Sequence, residues 1–260
     1  MQIKIGRVRY TISYMIREGN KETILYLHGL GSTKYDFFPA MYLDALKDYG
    51  VVAIDFPGCG NSDYQIGQPI TVDIMVEIIN EVVTKLALAN LIVIGHSMGG
   101  ISGLLYSHRY PKLVKSFINI EGNLAPEDCF WSRNVVKYSY EEFLQEKYLE
   151  KLEQSLSDSS LLGMRICGDR FRRQVTPQAF YDYCVSVVDH SDNSDLMSKF
   201  INLNIKKALI YGSSNKSLSY LPSLKKTSVN VIEIPNSGHY PHFSNPKYFY
   251  KKLEEFICTD

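Results

Sequence analysis

The chain of 260 residues predicts an α/β fold with a mostly parallel sheet. Three observations carry that expectation. Short apolar runs alternate with longer segments of helical period, as in repeated βαβ units. A Gly-x-Ser-x-Gly run, Gly95-His96-Ser97-Met98-Gly99, sits between a strand-like run and a helix-like one. One polar, aromatic-rich stretch at 124–204 interrupts the alternation.

Taken in order, Met1 to Tyr10 alternates as a strand does and carries charges throughout, so no apolar segment of a secretion signal is visible. Buried-strand runs follow at 23–27, 51–54, 91–94, 117–120, 207–211 and 229–234. Helical patterns fill most of the gaps, at 38–48, 72–88, 99–109 and 246–257. In the third of these Ile101, Leu104, Leu105 and His108 keep the i, i+3, i+4, i+7 spacing. The stretch 124–204 has helical character and no buried-strand run, and it exceeds any ordinary crossover. It predicts a helical cap (124–204) set into a core made of 1–123 and 205–260.

Composition limits the function classes. At 45% hydrophobic the chain can bury roughly three quarters of its unfolded surface in one core, with no need for metal or disulfide staples. Lysine plus arginine (28) balance aspartate plus glutamate (28), so no global field recruits nucleic acid or a membrane. The 5 cysteines are scattered without a C-x-x-C pair, which argues for reduced thiols and a cytoplasmic protein. No apolar stretch reaches the ~18 residues of a membrane span. Neither a metal-ligand cluster nor a dinucleotide fingerprint appears, so no cofactor is expected. Oligomeric state is not legible.

The elbow carries the chemistry. Glycines two residues either side of Ser97 allow a tight strand-to-helix turn that exposes Oγ for attack. His28-Gly29-Leu30-Gly31, after the run 23–27, can aim a backbone N–H at the space above that serine. Such main-chain donors are fixed before an oxyanion forms, and the two assigned here are those of Leu30 and Met98. The segment Asp55-Phe56-Pro57-Gly58-Cys59-Gly60-Asn61-Ser62 reads as a structural turn near the site. Near the end, Asn236-Ser237-Gly238-His239-Tyr240-Pro241-His242 follows the last strand, and His239 is the expected base, with His242 as fallback. His28, Gly29, His96 and the cap residue Trp131 are expected to line the substrate pocket, and other cap aromatics (Phe130, Tyr138, Tyr140, Phe143, Tyr183) to supply part of its apolar wall.

With these four segments in place the chain resembles the α/β-hydrolase superfamily over essentially its whole length. That resemblance implies an eight-stranded, mostly parallel sheet with helices on both faces, a cap after strand six, and hydrolysis of an ester, thioester, amide or C–C bond through an acyl-serine. One departure is plain. Where the family usually has Gly-x-x-Asp after strand seven, this chain has Gly212-Ser213-Ser214-Asn215. An amide cannot stabilise the cation that forms on the base. The strand end Ile118-Asn119-Ile120-Glu121 offers a carboxylate instead, at a position that haloalkane dehalogenases, similar in this segment, also use for their acid. Glu121 is therefore the expected acid, ahead of Asp169, Asp182, Asp189 and Asp195 in the cap. The resulting expectation is a carboxylesterase-like serine hydrolase of a small-molecule ester. The alternatives are a C–C bond, lipid or thioester hydrolase, for which Arg165, Arg170, Arg172 and Arg173 could hold an anionic group, or a slow-turnover binding protein, kept open by Asn215.

Overall fold

The structure is a computed structural model that describes residues 1–145, 154, 159 and 162–259; the rest of the expected cap lies outside the described residues. The alternation at Met1 to Tyr10 reads as one strand, but Gly6 at φ +57 folds it back on itself. The result is a separate two-stranded sheet of β1 (Gln2–Ile5) and β2 (Val8–Thr11).

The apolar runs become strands of a single larger sheet. These are β4 (Thr23–Leu27), β5 (Gly50–Ile54), β6 (Leu91–His96), β7 (Val114–Ile120), β8 (Lys206–Gly212) and β9 (Asn230–Ile234), joined at one edge by β3 (Tyr14–Arg17). The order is β3-β5-β4-β6-β7-β8-β9, seven strands among the described residues where the resemblance implies eight. Every pairing is parallel except β3 with β5. β3 escapes a search for apolar runs because an edge strand is only half covered, and its Ile16 faces solvent.

Period-two alternation sends each strand's side chains to opposite layers. Leu25, Leu27, Val93, Phe117 and Leu209 pack with α1 (Val72–Lys85) and α2 (Met98–Arg109). Ile24, Tyr26, Ile94, Ile118 and Ile210 pack instead with Phe37, Phe249, Leu253 and Phe256. The second layer is closed by the helix Pro246–Cys258 and by 3-10 turns at Lys34–Tyr42 and Asp44–Leu46. Those turns stand where the pattern at 38–48 predicts a helix; Pro39, lacking an N–H, interrupts the ladder. In α1 the Thr71 hydroxyl caps Ile74 N–H at 3.1 Å, and the buried stripe runs Val72, Met75, Val76, Ile79, Val83. α2 keeps Ile101 and Leu104 buried, but His108 near its end is exposed. No described helix is long and apolar enough to cross a membrane.

Between β7 and β8 every named element is helical, including Ser132–Val135, Leu162–Gln174, Pro177–Asn193 and Leu196–Ile201. The turn at 55–62 carries part of this insert: Gly60 N–H donates to Gln174 O and Thr176 N–H to Gly58 O, each at 2.8 Å. Asp55 organises the turn. Its carboxylate accepts from Lys34 N–H at 2.7 Å and Asn61 N–H at 2.9 Å and pairs with the buried Lys34 ammonium. Removing one member of a buried pair strands the other charge. Asp55→Ala should therefore lower the urea-derived unfolding free energy by about 3–5 kcal/mol, and a change below about 1 kcal/mol would show that Lys34 finds water.

Candidate active site

Ser97 follows β6 with φ +52 and ψ −121, a left-handed conformation that a side chain rarely adopts and that turns its Oγ out of the sheet. The glycines permit it. A Cβ on Gly95 would strike the Gly99 backbone, and one on Gly99 the carbonyls of Leu27 and His28, so helix and strands close to van der Waals distance around the serine. Ser97 N–H donates to Ile120 O at 2.9 Å, which extends the β6–β7 ladder one residue past the strand.

The same device repeats one strand over. Glu121, after β7, has φ +50, and its N–H donates to Ile210 O of β8 at 2.9 Å. The buried Asn119 side chain brackets this bend by accepting from Gly122 N–H at 2.7 Å. The Glu121 side chain, 3% exposed, crosses the end of β8. There Gly212 N–H donates to Oε1 at 2.5 Å and Asn215 Nδ2 to Oε2 at 2.7 Å. Oε2 also faces His239 Nδ1 at 3.5 Å, and that nitrogen has no other protein partner among the described residues.

His239 is anchored by its backbone. His96 Nε2 donates to the His239 carbonyl at 2.7 Å, and Ser214 N–H donates to Ser237 O at 3.0 Å. The elbow histidine thus holds the loop that carries the expected base. Burial, and then the neighbouring His239 and His242, push the His96 imidazole well below its usual range, so it stays neutral at pH 7. His242 is buried beneath, lowered to about 3 by burial and then by the Arg170 charge. His96, His242 and Asp36 place ligating atoms within 4.8 Å of one another. Arg170 already pairs with Asp36, however, so the group is a neutralised ion pair flanked by two imidazoles rather than an anionic cage for a cation.

Ser97 and His239 open into one cavity of about 210 Å³. Its walls are Leu30, Phe130, Trp131, Met164, Val187 and Tyr240 on the apolar side, and Asn123, Asp128, Ser132, Ser214 and Asn215 on the polar side, with Gly238 completing them. Asp128 is raised to about 6, chiefly by burial, although Leu124 N–H, Ala125 N–H and Tyr220 OH all donate to it. Leu30 N–H and Met98 N–H, the latter opening α2, donate to no protein acceptor among the described residues.

The structure thus brings Ser97, His239, Glu121, Leu30 and Trp131 to one place and corrects three of the expected pocket residues. His28 is fully buried beneath the site, where its Nε2 accepts from Phe56 N–H at 3.0 Å and its Nδ1 donates to Gly29 O at 2.8 Å. His96 is spent on the histidine loop. Gly29 contributes closeness rather than contact with a ligand, since a Cβ there would lie 2.9 Å from Ser97 Cβ. Of the other cap aromatics expected there, Phe130 borders the cavity; Phe143 and Tyr183 are buried elsewhere, Tyr140 packs against Phe143 and Tyr181, and Tyr138 is exposed. None of the four arginines reaches it: Arg165 donates to Ser159 O, Arg170 pairs with Asp36 and Arg173 with Asp169, and Arg172 lies off its walls. Sequence reasoning missed the Asn215 amide on Glu121 and the polar wall from the insert.

Comparison with known proteins bears on the fold and the family. A family described as the alpha/beta hydrolase fold matches residues 22–160. A Mycoplasma genitalium protein named "Putative esterase/lipase 2" is 24% identical over 253 residues, covering 91% of this chain and 89% of that one. A carboxylesterase structure from Nitrososphaera gargenis superposes with TM-score 0.79 at 17% identity, covering 99% and 97%. A thermophilic esterase from Thermogutta terrifontis gives 0.77 at 16%, covering 99% and 98%.

Proposed function

This chain belongs to the alpha/beta hydrolase fold family, and on that premise we propose that it is a serine esterase acting on small esters with a short, uncharged acyl group. The observation that carries the reading is the strained Ser97 opening into the same cavity as His239, whose Nδ1 faces a buried carboxylate at 3.5 Å. With Nδ1 turned to Glu121, Nε2 is the nitrogen left to take the proton from Ser97 Oγ. The freed oxygen attacks the ester carbonyl while the amides of Leu30 and Met98 receive the developing oxyanion. The imidazolium protonates the leaving alkoxide, and a water activated by the same nitrogen then releases the acid. Residues 124–204 act as a cap that supplies Trp131, Phe130, Met164 and Val187 to the acyl wall, over a core of 1–123 and 205–260. The esterase names among the relatives support the reaction class.

Charge and size select the substrate. Among the described residues no lysine or arginine borders the cavity, whereas Asp128 does, which favours an uncharged substrate over the carboxylate-bearing one that a C–C hydrolase would take. The binding-protein alternative, kept open by the amide at 215, is weakened because the Glu121 carboxylate faces the imidazole. At about 210 Å³ the space is smaller than the usual ligand pocket. With p-nitrophenyl esters, kcat/KM should rise roughly fourfold per methylene from acetyl to about butanoyl, as buried CH₂ groups contribute ~0.8 kcal/mol each, and fall again by dodecanoyl. A profile that is flat from acetyl to octanoyl would rule out the apolar acyl wall.

A further inference from the structure

The carboxylate assigned as the acid is gripped by a side chain that the triad itself does not use. Asn215 donates through Nδ2 to Glu121 Oε2 at 2.7 Å, the same oxygen that faces His239 Nδ1 at 3.5 Å. We infer that Asn215, which also borders the cavity, is a positioning residue for the acid, orienting the Glu121 carboxylate toward His239. The inference rests on the Ser97–His239–Glu121 reading.

Glutamate needs such help. Its side chain starts at the end of β7 and must hold a carboxylate over the end of β8, and its last torsion, between sp³ and sp² carbons, is soft. Gly212 N–H fixes Oε1 alone, leaving the plane free to tilt about that oxygen. The Asn215 amide fixes the second oxygen, and a carboxylate oxygen has two lone pairs, so Oε2 can accept from Asn215 and His239 together. The 3-10 turn Ser213–Asn215 is itself tied to the histidine loop through Ser214 N–H and Ser237 O. Both partners of Oε2 are therefore set from one scaffold.

The amide also explains itself chemically. An ionised carboxylate only accepts, so its neighbour must donate without adding negative charge. An aspartate at 215 would instead set a second carboxylate against the first, and the two would compete for one proton. The other ionisable groups around the carboxylate are His239 from the loop after β9, Tyr220 from the segment after β8, and Asp128 of the insert, bonded to Tyr220 OH. Burial and the surrounding carboxylates push the Tyr220 phenol up, so it stays neutral and adds no charge.

The test uses the full chain and p-nitrophenyl butyrate, with Asn215→Leu and Asn215→Asp made in the wild-type and Glu121→Gln backgrounds. Asn215→Leu should lower kcat roughly 10- to 100-fold, the scale of a misplaced catalytic group. Asn215→Asp should move the acid limb of the kcat/KM profile up by about one pH unit, since a second carboxylate holds the imidazole proton more tightly. In Glu121→Gln, Asn215→Leu should cost nothing further. An equal loss from Asn215→Leu in both backgrounds, or an unmoved kcat and acid limb, would overturn the inference while leaving the triad standing. Full turnover in Glu121→Gln alone would remove the triad, and the inference with it.

Discussion

Ser97→Ala is expected to lower kcat by roughly 10⁶-fold, the order found when a serine nucleophile is removed, leaving a residual rate on the order of 10³ over water from the oxyanion donors and binding. The prediction rests on backbone geometry as much as on residue type. Ser97 has φ +52 and opens into the cavity with His239, whereas the buried Ser102 and Ser107 return their hydroxyls to the carbonyls of their own helix. A fluorophosphonate probe should therefore label Ser97 and no other serine. Alanine leaves the packing of Gly95 and Gly99 untouched, so the melting temperature should hold. Labelling that persists undiminished in Ser97→Ala would end the assignment.

Glu121→Gln is the second large effect, an expected loss of up to ~10⁴ in kcat, as replacing a triad acid by its amide can produce. The shape is kept and the Gly212 N–H can still donate to the side-chain oxygen, so stability should change little. What is lost is the negative charge that steadies the imidazolium and the acceptor that fixes its tautomer. Asn215 cannot substitute, because its own amide is neutral. Wild-type turnover in Glu121→Gln, together with collapse in Asn215→Ala, would place the essential group at 215 and refute the assignment to 121.

Much of this arrangement is legible before folding. The parallel strands announce themselves because both of their faces are buried, which leaves runs such as Leu91 to Ile94 apolar throughout. The elbow is legible because its glycines and serine stand in one short stretch. Glu121 is legible as a candidate acid from the absence of a carboxylate at 215 and the presence of one at the neighbouring strand end. The limits have physical reasons too. β3 is covered on one side only, so its pattern is diluted, and Gly6 divides an alternation that looks continuous. His28 and His96 sit in motifs beside the serine, yet adjacency in sequence says nothing of ring direction; both rings turn inward to hold backbone. Asn215 looked like a defect because its partner lies 94 positions away. Arg170 could not be placed from local pattern, since its partner Asp36 belongs to a distant segment.

The helix Leu162–Gln174 belongs to the insert by sequence and to the core by contact. Arg170 pairs with Asp36, which also takes the Ser32 hydroxyl, and its guanidinium lies 5.3 Å from the Phe243 ring centroid. Tyr240 OH donates to Cys167 Sγ at 2.9 Å, and that thiol lies 3.8 Å from Gly31 O. One helix thus touches both the loop bearing Leu30 and the loop bearing His239. For anyone exchanging caps between relatives to change substrate range, the boundary suggested by the sequence at 204 is the wrong place to cut. A graft that replaced 162–174 would discard the brace of the Leu30 and His239 loops along with Met164 of the cavity wall, whereas one ending before Leu162 would keep the recipient's own brace.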